Sequence, residues 1–250
     1  MGSRFSWSCR AAVTVAMAIL FPTIGLAQDL SFGAELGASS RYVWRGLVLD
    51  DGWAARPSAW VSARGLTLEA WANVPAGTGA ERLTETDLVV SYDAEWQGLG
   101  ITPSASAYFY PGEEDGPTAE LGLGLVYPLG PFELSSNHTM DLVAVRGAYA
   151  GDLGLSVEQE VVPDLVGLEL SGSLGWGSPR FHEANYGVAK AAFNAVAVEA
   201  AVVARPVSFG YIRPCVCYTT VADPELARTL VDGESPRSNV AVGLGIGVEF

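Results

Sequence analysis

The end of the chain constrains its fold most tightly. From Asn239 to Phe250, apolar side chains stand at every second position: Val240, Val242, Leu244, Ile246, Val248 and Phe250. Asn239, Ala241, Gly243, Gly245, Gly247 and Glu249 lie between them. A period of two puts successive side chains on opposite faces of a strand, whereas a helix needs spacings of three and four. The pattern recurs along the chain. Leu30, Phe32, Ala34, Leu36 and Ala38 alternate with Ser31, Gly33, Glu35, Gly37 and Ser39. Leu88, Val90, Tyr92, Ala94 and Trp96 alternate with Glu85, Asp87, Ser91, Asp93 and Glu95. Leu153, Leu155, Val157 and Val161 alternate with Gly154, Ser156, Glu158 and Glu160. Such strands present one face to an apolar medium and one to water.

The connections alternate as well. Tight turns are expected at Arg64-Gly65, Gln97 to Gly100, Pro128 to Pro131, near Pro163 and near Pro206. Longer polar connections fall at 48–54, 75–82, 111–117, 146–151, 177–185 and 222–237. Five turns and six loops in strict alternation predict about twelve antiparallel strands with both ends on the turn side. Hydrophobic residues make up 49% of the chain, yet its longest apolar run after the first residues, Ala191 to Ala204, contains Glu199. The expectation is an all-β fold: a single antiparallel transmembrane β-barrel with long outer loops and short periplasmic turns. A closed barrel leaves no unpaired edge, so it can cross a bilayer. The alternation breaks between Asn194 and Glu199, which predicts a bulge in the tenth strand.

Aromatic residues gather near strand ends. Trp44, Tyr108 to Tyr110 and Trp176 are expected in a girdle on the loop side. Trp96, Tyr127, Phe132, Phe209 and Phe250 are expected in one on the turn side, with Trp60, Trp71 and Phe193 left at mid-strand. On this reading Ser39 to Gly46 is the outer end of the first strand. Tyr42 and Trp44 then face lipid, and Arg41 and Arg45 face inward.

The first residues look like an address. Arg4 and Arg10 precede the apolar run Ala11 to Leu20, and Gly25 and Ala27 stand where a signal peptidase reads. Residues 1–27 are expected to be a cleaved signal peptide, with the barrel at 28–250 in the outer membrane of a Gram-negative cell. Losing Arg4 and Arg10 leaves 12 basic against 28 acidic residues, a net charge of −16. That charge argues against nucleic acid as a partner. The expected partners are outer-membrane lipids, the barrel-insertion machinery that reads a terminal strand ending in Phe250, and small solutes or ions.

Several segments resemble the TorF-like family of outer-membrane porins. They are "SSRYVWRGLVLDDG" at 39–52 with Pro57 after it, "EAWANVP" at 69–75, "TETDLVVSYDAEW" at 84–96 and "AYFYPG" at 107–112. The matching positions are Ser40, Tyr42, Arg45 and Gly46, then Glu85 and Asp87, then Tyr110, Pro111 and Gly112. The resemblance covers about the first half of the chain after the signal and returns at the last strand. It implies one barrel with a pore-like role and brings no catalytic residues.

Charges at bilayer depth belong inside the barrel. The candidate lumen-lining residues are Glu35, Arg41, Arg45, Asp87, Asp93, Glu95, Glu158, Glu160 and Arg213, with Glu69, Glu120, Glu133, Asp141 and Glu169 on the same polar face. Acids dominate, so a narrow lumen preferring cations is expected, through which small solutes or ions diffuse passively. The competing reading is a lumen closed by its own ion pairs, serving a structural or surface-binding role through its loops.

No catalytic, cofactor or metal site is expected. Ser136 and His138 share a strand, but parity turns both toward lipid with Leu134, Met140 and Leu142. His182 is expected in a solvated loop. Cys215 and Cys217 share one face of one strand, a poor geometry for a mutual disulfide, and are expected as free or buried thiols. The acidic runs at Asp50-Asp51 and Glu113 to Asp115 are expected as solvated loop acids.

Overall fold

The structure, a computed structural model, describes residues 30–77, 83–111, 116–233 and 235–250. The signal segment, Cys9, Arg82 and Glu113 to Asp115 lie outside the described residues. The first strands are β1 (Leu30–Ser39), β2 (Tyr42–Trp44), β3 (Leu47–Asp50), β4 (Ala54–Ala63), β5 (Leu66–Pro75), β6 (Glu85–Tyr92), β7 (Ala94–Trp96) and β8 (Leu99–Phe109). There follow β9 (Thr118–Leu129), β10 (Phe132–Asp141), β11 (Tyr149–Val162), β12 (Val166–Gly177), helix α1 (Pro179–Tyr186), β13 (Ala192–Val207), β14 (Gly210–Val221), helix α2 (Pro224–Asp232) and β15 (Ser238–Glu249).

All strands but β2 and β3 form one sheet, in which each strand pairs antiparallel with its neighbours. The sheet closes at two seams. The last strand pairs with the first, with Leu36 opposite Ile246, and β6 pairs with β8, with Asp87 opposite Tyr108. β7 continues β6 past a break at Asp93. The result is a closed barrel of twelve strands, the number the alternating connections predicted. Among the described residues no helix is long and apolar enough to cross a membrane.

The outward face carries the large apolar side chains. Leu36 keeps 55% of its surface exposed, Leu170 52% and Val240 57%. A soluble protein would hide such a band, whereas lipid covers it. At the turn end Phe32, Phe209 and Phe250 stack with ring centroids 5.4 and 5.6 Å apart, part of one girdle. At the loop end Phe109, Phe193 and Tyr218 stand exposed on the outer wall.

Two-residue turns join strands at the turn end. Arg64 and Gly65 have φ of 53° and 82°, and Gln97 and Gly98 have 52° and 82°. Positive φ at both central residues marks the turn whose twist matches a hairpin. The expected bulge is present in β13, the tenth strand of the barrel. Leu174 pairs with Val196 and Trp176 with Phe193, so β13 has one more residue than β12 between these pairs. Asn194 and Ala195 occupy the bulge, and the Ala195 N–H donates to Asn194 Oδ1 at 2.8 Å.

The first loop departs from expectation. β1 stops at Ser39, whose hydroxyl donates to the Arg41 carbonyl at 2.9 Å. The chain then turns inward and forms the small hairpin β2–β3 about Arg45 (φ 48°) and Gly46 (φ 95°). Tyr42 and Trp44 therefore do not belong to the outer girdle. Tyr42 is 6% exposed and meets Trp71 edge-on at 5.7 Å, while Trp44 packs on Phe181 at 5.6 Å. Alternation carried past Ser39 puts these rings on the lipid side; the Arg45-Gly46 turn reverses the chain and buries them instead.

Candidate functional site: the interior and its capped mouth

The inward face encloses a space of about 2450 Å³. Among the described residues, fourteen carboxylates and four arginines line it. They are unevenly distributed. From Leu83 to Val145 the sequence has no Lys or Arg, so the wall from β6 to β10 is purely acidic. Glu85, Asp87, Asp93, Glu120, Glu133 and Asp141 line it, and Glu69 joins them from β5. Asp87 is 5% exposed, and its Oδ1 has no hydrogen-bond partner among the described residues. Tyr108, facing the same space, donates to Glu120 at 3.2 Å, and Thr102 donates to Asp93 at 2.8 Å.

The opposite wall is paired. Arg213 on β14 donates to Glu169 on β12 at 2.9 Å and to Glu199 on β13 at 2.6 Å. Arg205 lies 3.7 Å from Glu158. Tyr211 donates to Glu35 at 2.6 Å, which ties β14 to β1 across β15.

Of the sequence-selected residues, Arg45, Asp87, Asp93, Glu158, Glu160 and Arg213 border the space. Glu35 faces inward under Tyr211. Glu95 sits on β7 beside the turn-end rim and is exposed. Arg41 stands beyond β1, where it pairs with Asp51 at 2.6 Å and donates to Asn239 at 3.1 Å. It braces the hairpin against the wall, so Asp51 is a paired loop acid rather than a merely solvated one. Sequence reasoning missed Arg56, Glu199 and Arg205 as interior groups, whereas Glu85 follows from its parity with Asp87. Parity was available for Arg56, but its strand offers only Ala, Ser and Pro around it, a weak alternation. Glu199 and Arg205 follow the bulge, which inverts the phase counted from Ala191. The interior also holds both cysteines of β14: Cys215 is a free thiol, and Cys217 is buried with its sulfur 3.6 Å from the Thr219 hydroxyl.

A cap covers part of the mouth at the loop end. The β2–β3 hairpin, α1 and α2 share a core of Phe181, Tyr186, Val221, Leu226, Ala148 and Ala150, with Trp44 and Leu47 packed against it. Ser178 caps α1 by accepting from Phe181 N, Pro179 opens it and Gly187 closes it at φ 72°. Asp223 caps α2 in the same way. Arg45 donates to the Gly151 carbonyl at 3.0 Å and lies over the rings of Trp44 and Phe181. The Tyr186 hydroxyl donates to the Arg45 carbonyl. Lys190 bridges to Asp223 at 2.7 Å and Glu225 at 3.2 Å, joining the tail of α1 to α2.

His182 corrects another expectation: it is not a solvated loop residue but fully buried in α1. Its Nδ1 donates to the Lys190 carbonyl, which leaves Nε2 as a bare acceptor without a partner among the described residues. Burial pushes its pKa below the usual value. Asp223 is held below the usual carboxylate range by the hydrogen bond from Lys190.

No family model matches the chain, and no curated protein matches it by sequence. Solved structures do match its fold. The KdgM porin superposes with a TM-score of 0.52 at 10% identity, over 88% of this chain and 99% of that one. The NanC porin does so with a TM-score of 0.53 at 12% identity, over 87% and 98%. A structure of the KdgM porin with oligogalacturonate gives 0.51 at 10% identity, over 88% and 99%. At these identities the likeness establishes a shared porin-type barrel.

Proposed function

We propose that this protein is an outer-membrane porin of the TorF-like kind, through which small cationic or neutral solutes and ions diffuse passively. The observation that carries the proposal is the acidic wall from β5 to β10, which borders the interior without a Lys or Arg on those strands. Carboxylates concentrated along one wall raise the local concentration of cations and repel anions. The structural neighbour KdgM has been solved with oligogalacturonate, a polyanion. The acidic interior here favours the opposite charge. The loop end then faces the cell exterior, and the turns and both chain ends face the periplasm.

A specific observation supports a second reading, a closed barrel with a structural or surface-binding role. The hairpin and two helices fold over the mouth, and Arg213 is fully engaged by Glu169 and Glu199. Planar-bilayer recording of the refolded protein decides between the two. The porin reading expects single-channel steps and a reversal potential favouring K⁺ over Cl⁻ in a salt gradient. Asp87→Asn with Asp93→Asn is expected to move the permeability ratio toward unity. Protein that inserts without conductance sinks the porin reading, and an unchanged ratio in the double variant removes these carboxylates from the selective path.

A further inference from the structure

One exposed patch at the loop end takes no part in the interior. The connection between β10 and β11, residues 142–148, is the shortest at that end. Its backbone is pinned. Asp141 Oδ1 accepts from Val143 N at 2.8 Å and Val145 N at 2.9 Å, and its Oδ2 accepts from the Thr118 hydroxyl at 2.6 Å. Gly147 N donates to the Asp141 carbonyl at 2.7 Å, and Asp141 N donates to the Ala148 carbonyl at 2.9 Å. Ala144, Val145 and Ala148 border the interior space. Leu142, Val143 and Arg146 do not border it and are exposed, Val143 by 59%. A turn held this firmly offers its outer side chains to a partner at little ordering cost.

Arg180, in the first turn of α1, joins this patch. Its Nη1 donates to the Arg146 carbonyl at 2.6 Å, and it too is exposed and away from the interior. The chain has 28 acidic residues against 14 basic ones, yet neither arginine is ion-paired among the described residues. Asp141 is engaged by the turn itself, and Glu183, three residues on from Arg180, makes no ion pair with it either. Two guanidinium groups anchored at one turn repel each other, and a shared anion removes that cost. Each guanidinium has five donors in a fork that matches phosphate oxygens.

The patch also stands at a definite height. Tyr149 opens β11, Trp176 is next to last in β12 and Phe193 is second in β13. Trp176 stands opposite Phe193, which is 55% exposed, and its Nε1 donates to the Tyr149 hydroxyl at 3.3 Å. Such aromatic side chains mark the membrane interface. Arg146 is three residues from Tyr149 and Arg180 four from Trp176, which sets both just beyond the girdle, at the level of lipid headgroups. We propose that Arg146 and Arg180 clamp a phosphate of lipid A, the phosphorylated glycolipid of the outer leaflet, while Leu142 and Val143 lie against its acyl chains. The assignment to lipid A uses the orientation proposed above, with the loop end outward, but neither the channel nor its ion preference.

The test is native mass spectrometry of the refolded barrel in micelles containing diphosphoryl lipid A, dephosphorylated lipid A or phosphatidylglycerol. The diphosphoryl form is expected to bind about 30-fold tighter than the dephosphorylated one, each arginine giving roughly fivefold. Arg146→Gln and Arg180→Gln are each expected to lose about fivefold, and the double variant to bind both forms alike. Val143→Ser is expected to weaken both forms by the same factor. Phosphatidylglycerol, with one phosphate, is expected to bind more weakly than diphosphoryl lipid A. Heat-shifted gel migration of every variant reports a folded barrel. Equal affinity for the two lipid A forms, a wild-type preference in the double variant, or phosphatidylglycerol bound as tightly as diphosphoryl lipid A overturns the proposal. A barrel that binds lipid A without conducting upholds this site and sinks the porin reading, and one that conducts without binding does the reverse.

Discussion

Gly46 has two separate demands on it. Its φ of 95° lies where L side chains are strained, and a Cβ would stand 2.8 Å from Val221 Cγ2. Gly98, at φ 82°, has the same backbone demand but open space around it. Ala at Gly98 is therefore expected to cost only the left-handed conformation, about 1–2 kcal/mol. Gly46→Ala is expected to cost visibly more and to loosen the hairpin, read by urea unfolding and by Trp44 fluorescence. Equal effects at the two positions would show that the hairpin is not packed against β14. Arg213 offers a second comparison. Its removal leaves Glu169 and Glu199 facing each other in a partly buried site. Arg213→Met is expected to destabilise the barrel by about 3–5 kcal/mol, and Arg213→Met with Glu199→Gln and Glu169→Gln to recover most of it. Residue faces were legible wherever alternation was clean: Glu35, Asp87, Glu158 and Arg213 could be placed by parity alone. Tyr42 and Trp44 could not, because Arg45-Gly46 is a weak turn signal beside Asn-Gly or Asp-Gly.

At the scale of elements, the cap has its own acid sensitivity. His182 is buried and neutral where the hairpin, α1 and α2 meet, with Arg45, Lys190 and Asp223 the charged groups around it. Its pKa is lower in the docked cap than in a solvated chain, so the undocked state binds the proton more readily. Docking is therefore weakened as pH falls through about 6.5, the ordinary histidine value. Asp223 acts in the same direction at lower pH. Its depressed pKa contributes stability above the ordinary aspartate value, and that stability fades as pH falls through the depressed one. Conductance or Trp44 fluorescence between pH 7.5 and pH 5 is expected to report cap release, and His182→Gln to remove the first step. An identical midpoint in that variant would acquit the histidine. The cap was not legible in the sequence. Its helices are short, eight and nine residues, and lie in loops that turn residues and Pro define just as well. The bulge of β13 was legible, since one extra residue changes the phase of everything after Asn194.

At the scale of the whole molecule a single closed sheet separates lipid from the interior, which is why a period of two sufficed to identify it. What the period could not show is how charge is distributed around the ring. That depends on which strands neighbour one another, and only closure brings β5 to β10 together as one acidic wall against the Arg213 side. The consequence is measurable. A field set by one wall acts across the lumen only while the screening length is comparable to its width. That length is about 10 Å at 0.1 M salt and about 3 Å at 1 M. The K⁺ over Cl⁻ permeability ratio is therefore expected to be largest below 0.1 M and to collapse toward unity at 1 M. A selectivity set instead by a tight constriction at the cap would survive high salt, because contact pairs are screened little. Replacing the β2–β3 hairpin by a short Gly-Ser linker separates the two cases. With the wall in control, conductance rises and the low-salt ratio stays. With the cap in control, both change together, and the acidic wall loses its role as the filter.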